Sequence, residues 1–166
     1  MKNLKKRRML MSTVNNKTYS DKQEKLVAKT ICGKQISGSG ARPFAPGDVE
    51  NDEWLFECKT HTTPGHKIVF NSDVWKKIKD EAMIRHKYPA YVCDDGSQLL
   101  ENQLVLFSTC PNDFHQFEKL IKIEGNIDKT IRFSIDKFER DAIHYCVWHG
   151  LATYVVSLKY FEQLFK

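Results

Sequence analysis

The chain has 166 residues, 41% hydrophobic and 28% charged, with a formal net charge of +5, enough to bury one core and most simply one domain. No apolar run approaches a membrane span, and the basic start MKNLKKRRMLM passes into polar STVNNKTYSDK without the apolar stretch of a signal peptide, so the expected location is the cytosol. Lys2, Lys5, Lys6, Arg7 and Arg8 account for the whole net charge. Residues 1–18 therefore read as a basic, flexible arm, either lying along phosphates through Lys5, Lys6, Arg7 and Arg8 or only solubilising the terminus. Residues 19–166 read as one domain with no internal repeat or linker.

Ser20 with Gln23 makes a capping box that predicts a helix from there to about Ile31. Glu24, Val27, Ala28 and Ile31 recur on one stripe, which sets Glu24 on the core side. A carboxylate there needs a partner or a metal, or else reaches around to solvent. The small-residue turn from Ser37 to Arg42 follows, then APG, Asp48 and a short strand beginning at Val49. The ENDE run turns the chain back into WLFECK, whose alternation predicts a strand with Leu55, Glu57 and Lys59 on one face and Trp54, Phe56 and Cys58 on the other.

Beyond the polar loop THTTPGH, KIVF reads as a strand, and Asn71 or Ser72 caps a helix burying Val74, Trp75, Ile78 and Ala82. PAYVC is a strand stopped by Asp94-Asp95-Gly96, where the aspartates act as turn formers, and LVLFST is another. Pro111 opens a short helix with Phe114, Phe117, Leu120 and Ile121 on one side. KTIRFS reads as a strand, and Ser134 caps a helix carrying Ile135, Phe138, Ala142, Tyr145, Cys146 and His149, ended by Gly150. TYVVS and LKYFEQLFK close the chain as strand and helix. Strands alternating with helices imply a mixed sheet flanked by helices. The five scattered cysteines, Cys32, Cys58, Cys93, Cys110 and Cys146, form no C-x-x-C pair and read as reduced thiols rather than disulfides or zinc ligands.

The hairpin carries the chemistry. Antiparallel pairing brings Asp48 beside Glu57 and Lys59, so two carboxylates and an ammonium converge. Carboxylates that close repel unless a cation offsets them, and hard cations such as Mg2+ take carboxylate oxygens with water and phosphate. On spacing alone, an ordinary surface hairpin has the same pattern.

The order of QEKLVAK with Glu24, SGSGAR from Ser37 to Arg42, GDV from Gly47 to Val49 and ECK from Glu57 to Lys59 resembles the PD-(D/E)XK nuclease superfamily, and within it the small Holliday-junction resolvases of archaeal and phage type. The resemblance covers the first half of the chain, to about PAYVC. It implies a restriction-endonuclease-like α/β fold, a mixed central β-sheet flanked by helices. It also implies metal-dependent hydrolysis of DNA phosphodiesters in the cytoplasm of a bacterial, archaeal or phage-infected cell. Asp48, Glu57 and the backbone carbonyl of Cys58 would hold Mg2+, for which Mn2+ can substitute. Lys59 would orient water or stabilise phosphate charge, and Glu24 would support the metal site. Ser39 and Arg42 offer an anion-cradling turn and a phosphate grip, or only a flexible turn with an exposed arginine. Thr60 and His61 follow the motif and are placed to touch DNA. The expected partner is branched DNA, foremost a four-way junction met by a homodimer, with Phe114, Phe117, Tyr160 and Phe161 as aromatic candidates for dimer or monomer core. The alternatives are another phage or bacterial endonuclease of repair, replication or restriction, and a catalytically silent DNA-binding module.

Overall fold

Val49 and Glu50 stand opposite Phe56 and Leu55, so the hairpin expected around the ENDE turn forms, and the rest of the chain builds outward from it. The computed structural model describes residues 2–38, 46–108, 119–124 and 127–165, with side chains from residue 16 onward. The described strands are β1 (Lys34–Gln35), β2 (Val49–Glu50), β3 (Trp54–Lys59), β4 (Ile68–Asn71), β5 (Tyr88–Asp94), β6 (Gln103–Phe107), β7 (Leu120–Lys122), β8 (Thr130–Phe133), β9 (Ile143–Trp148) and β10 (Leu151–Ser157), with helices α1 (Lys2–Thr30), α2 (Ser72–Ile84) and α3 (Leu158–Leu164). Eight strands form one sheet in the order β1-β2-β3-β5-β6-β10-β9-β7, and β4 and β8 pair separately. The large sheet is mixed, since β3 runs parallel to β5 and β7 to β9 while its other neighbours are antiparallel. The α/β class expected from the alternation of elements is the one observed.

Burial on both faces explains the apolar strands. Trp54, Phe56, Ala90, Val92, Val105, Phe107 and Val156 pack with Val27, Ala28 and Ile31 of α1 and Phe161 of α3. Leu55, Tyr91, Leu104, Leu106 and Val155 pack on the other side with Trp75, Ile78 and Ala82 of α2 and with Ile68, Phe70 and Ile131 of the small sheet. β5 and β6, covered twice, are therefore runs rather than alternations. The Asn71 side chain accepts from the Asp73 N–H at the start of α2, the cap expected from the sequence.

Three elements differ from expectation. The α1 helix passes through Ser20 and begins at Lys2, so Ser20 and Gln23 do not cap its start. Gln23 is instead fully buried and makes tertiary hydrogen bonds. The helix expected after Ser134 is also corrected: only a short 3-10 turn, Ile135–Lys137, forms there, and β9 follows. Its residues alternate buried and exposed from Tyr145 to Trp148, a period of two that three- and four-residue apolar spacings can mimic over so short a stretch. His149 and Gly150, both at positive φ (50° and 77°), make the two-residue turn that joins β9 to β10, a geometry matched to the right-handed twist of hairpin strands. Trp148 is buried there and His149 exposed. The helix expected from Pro111 lies outside the described residues at Phe114 and Phe117, but Leu120 and Ile121, expected on its stripe, belong to β7 and pair with Ile143 and His144 of β9, so the helical spacing does not continue there. Among the described residues no helix is long and apolar enough to cross a membrane.

Candidate active site

Gly47 opens the hairpin at a φ of +65°, and a Cβ there would meet the Leu55 side chain at 2.8 Å and the Phe56 carbonyl at 3.1 Å. Only glycine combines that backbone with so close an approach to β3. The Gly47 N–H donates to Glu81 of α2 at 3.0 Å, and the Asp48 N–H donates to the Phe56 carbonyl at 2.7 Å. The Asp48 carboxylate then accepts the Cys58 N–H at 2.8 Å, fixing it at the open end of β3. In a strand the N–H and C=O of one residue leave by the same edge, so the Cys58 carbonyl issues beside Asp48.

A cavity of about 700 Å³ lies there, lined by Glu24, Gln35, Asp48, Cys58 and Lys59 among others, with Lys17 and Ser20 on its α1 side. Glu24 thus comes into one cavity with Asp48 and Lys59, as expected. Its carboxylate accepts from Gln35 Nε2 at 3.1 Å. Burial first, and then the negative charges of Asp48 and Asp21, raise its pKa against that bond. Cys58 is a buried thiol pushed well up by burial and by Asp48, Glu24 and Glu57, so all three carboxylates act on one spot.

Glu57 points the same way as Lys59, as its spacing suggests, but it does not line this cavity with Asp48. It is 5% exposed and sits off the cavity lining, ion-paired with Lys59 at 2.5 Å and with Lys77 of α2 at 3.5 Å. Lys77 also pairs with Glu81 at 3.6 Å. Burial works against the charge on Lys59, but Glu57, hydrogen-bonded to it, and Asp48 outweigh that and raise its pKa, so the lysine that lines the cavity is charged. Lys77 and Glu81 were missed in the sequence, where they belong to a helix face of mixed charges that looks solvated. Only the packing of α2 on β3 and β5 brings them to the hairpin.

Behind the strand end, a polar network holds the backbone. Gln23 Nε2 donates to the Lys59 carbonyl and to Gln103 Oε1, both at 3.0 Å, and Gln103 donates to Asp94 at 3.1 Å. Asp94 accepts the Thr60 hydroxyl at 2.7 Å and the N–H groups of Gly96 and Gln98. It is the turn former expected and also an anchor for the residue after Lys59. Thr60 and His61 do not line this cavity, and His61 is exposed and stacked on His66 at 4.4 Å. Ser39 and Arg42 fall outside the described residues, as do the side chains of Lys5, Lys6, Arg7 and Arg8, whose backbone is part of α1. Phe161 is core and Tyr160 packs against it.

Among the described residues, no three His, Cys, Asp or Glu side chains are grouped to hold a metal ion by themselves. The donors present are nonetheless of the right kind for a hard cation, carboxylate oxygens of Asp48 and Glu24 with the Cys58 carbonyl beside them, the remainder falling to water and phosphate. Burial, and after it the charges of Asp48 and Asp21, raise Glu24, and a cation would relieve the repulsive part. No family model, curated protein or solved structure matches this chain.

Proposed function

We propose that this chain is a metal-dependent, structure-specific DNA endonuclease of the PD-(D/E)XK kind, acting on branched DNA such as a four-way junction. The observation that supports it best is the gathering of Glu24, Asp48 and Lys59 on one cavity, with Asp48 pinned to the Cys58 N–H and Lys59 held charged by Glu57. Asp48, Glu24 and the Cys58 carbonyl would hold Mg2+ or Mn2+, which when bound supplies polarisation of the scissile phosphate. The chain's own groups do the rest. Lys59 offers an ammonium to the phosphate oxygens as charge builds there. Glu57 aims that ammonium and keeps it protonated, and Lys77 pairs with the other carboxylate oxygen of Glu57. Glu24, held by Gln35, presents its carboxylate from the α1 side of the cavity.

A silent DNA-binding module is the second reading, and it draws on the double hold of Glu57 by Lys59 and Lys77, which competes with metal. Cleavage of an end-labelled four-way junction and a sequence-matched linear duplex with Mg2+ separates them. Paired cuts near the branch that disappear in Asp48→Asn and in Lys59→Ala are the expected result. Equal cutting of both substrates would replace the resolvase reading by a general endonuclease, and binding without cutting by the silent module.

A further inference from the structure

The candidate cavity does not end at α1. A second groove of about 390 Å³ opens on the far side of Ser20, lined by Asn16, Tyr19, Ser20, Thr60, His61 and Thr62. Ser20 lines both spaces, and Thr60 follows Lys59 directly, so the two adjoin at α1 and at the end of β3. We propose that this groove seats one unpaired nucleotide of the DNA strand beside the scissile phosphate. The inference rests on the nuclease reading of the adjoining cavity and narrows its substrate to DNA with a base out of the duplex.

The lining suits a nucleoside in size and chemistry. Its volume lies at the small end of the range of ligand sites. An aromatic ring, Tyr19, comes from the helix, and an imidazole, His61, comes from the loop opposite. Bases stack on such rings with little regard to sequence. Asn16, Ser20, Thr60 and Thr62 supply donors and acceptors for phosphate oxygens and base edges. Cations stand where the backbone would pass: Lys22 is 5.9 Å from the Tyr19 ring centroid, Lys17 borders the main cavity and Lys59 faces it.

The wall opposite Tyr19 is held in place. Thr60 donates to Asp94 at 2.7 Å and accepts from Gln98 at 2.5 Å. The His61 ring stacks on His66 with 17° between planes, and His66 Nε2 is 2.8 Å from the Thr63 hydroxyl. Gly96, at a φ of +91°, lets the carbonyl of Thr63 approach so closely that a Cβ would sit 2.0 Å from it. Such bracing gives a groove that is preformed rather than assembled by the ligand. A base inside a duplex is stacked and paired and cannot enter it without being extruded. A branch point, a flap or a gap offers one already free.

The test is binding measured by fluorescence anisotropy in the presence of a chelator, with a short labelled duplex and the same duplex carrying a short single-stranded gap. The full chain is expected to prefer the gapped DNA. Tyr19→Ala should weaken gapped binding by about tenfold, the scale of one stacked base, while changing intact-duplex binding little, and Tyr19→Phe should retain the preference. His61→Ala should weaken gapped binding from the other wall. Equal affinity for both DNAs, or an equal loss on both in Tyr19→Ala with unchanged circular dichroism, would overturn the proposal. The two readings come apart in Mg2+: a Tyr19-dependent gap preference without cleavage keeps the seat and removes the nuclease, whereas cleavage without gap preference does the reverse.

Discussion

The two halves of β3 are neighbours in one strand and follow opposite rules. Its first half is built of rings: Trp54, 2% exposed, has Phe165, Phe161, Tyr88 and Phe107 with centroids 4.8, 4.9, 5.2 and 5.8 Å away. Its second half is built of charges, with Glu57 between two lysines and Asp48 on the Cys58 N–H. Shape complementarity holds the first, and compensation of buried charge holds the second. A site whose groups repel one another keeps its geometry only on a rigid support, and the aromatic half provides it within three residues.

That contrast can be broken or sharpened by substitution, and the largest effect should come from the charged half. Lys59→Ala and Asp48→Asn are expected to lower junction cleavage by about 10²–10³-fold, the range for a single electrostatic group acting on a transition state, with only a modest change in thermal midpoint. An Asp48→Asn protein that unfolds as readily as a core mutant would place Asp48 in the scaffold instead. Trp54→Ala should do the opposite. It is expected to cost about 3–5 kcal/mol of stability in chemical denaturation, with cleavage per folded molecule kept at low temperature.

Lys77→Ala tests the link between the halves and α2 at smaller scale. Removing one of the two ammonium groups on Glu57 frees negative charge near the cavity, so the Mg2+ concentration for half-maximal cleavage should fall a few-fold. A rise would show that Lys77 positions Glu57 rather than competing with the cation. The smallest effect should lie away from β3, at His144, which stacks on Phe138 at 4.1 Å. Burial lowers its pKa from the ordinary 6.5. The unfolded chain then binds more protons than the folded one just below that value, so stability is present above about pH 6.5 and declines as pH falls toward the folded pKa. His144→Asn should flatten that part of the profile, and an unchanged slope would assign it to other groups.

Sequence reading found the hairpin because its signals are local. Turn residues at Gly47 and the ENDE run, and alternation along WLFECK, act over a few residues whatever surrounds them. The same reading misassigned Ile143–Trp148, where His-Gly as a two-residue turn was the available signal and the apolar spacing outweighed it. It put Glu24 on the buried stripe of α1, whereas the wholly buried polar residue is its neighbour Gln23. A shift of one position on a helix turns a side chain by about a hundred degrees, and periodicity in a short segment does not resolve that.

The α/β class, the paired strands around Asp48 and the acid and lysine residues at the end of β3 follow from residue order alone, since period, turn chemistry and capping are properties of neighbours in the chain. Glu57 held by Lys77, Glu81 on the Gly47 N–H, Gln23 reaching the Lys59 carbonyl, and the groove shared across Ser20 required the tertiary structure. Those contacts join residues from 20 to 46 positions apart in the chain, and what brings them together is the burial of α1 and α2 on opposite faces of one sheet, a choice made by the whole core and by no single segment.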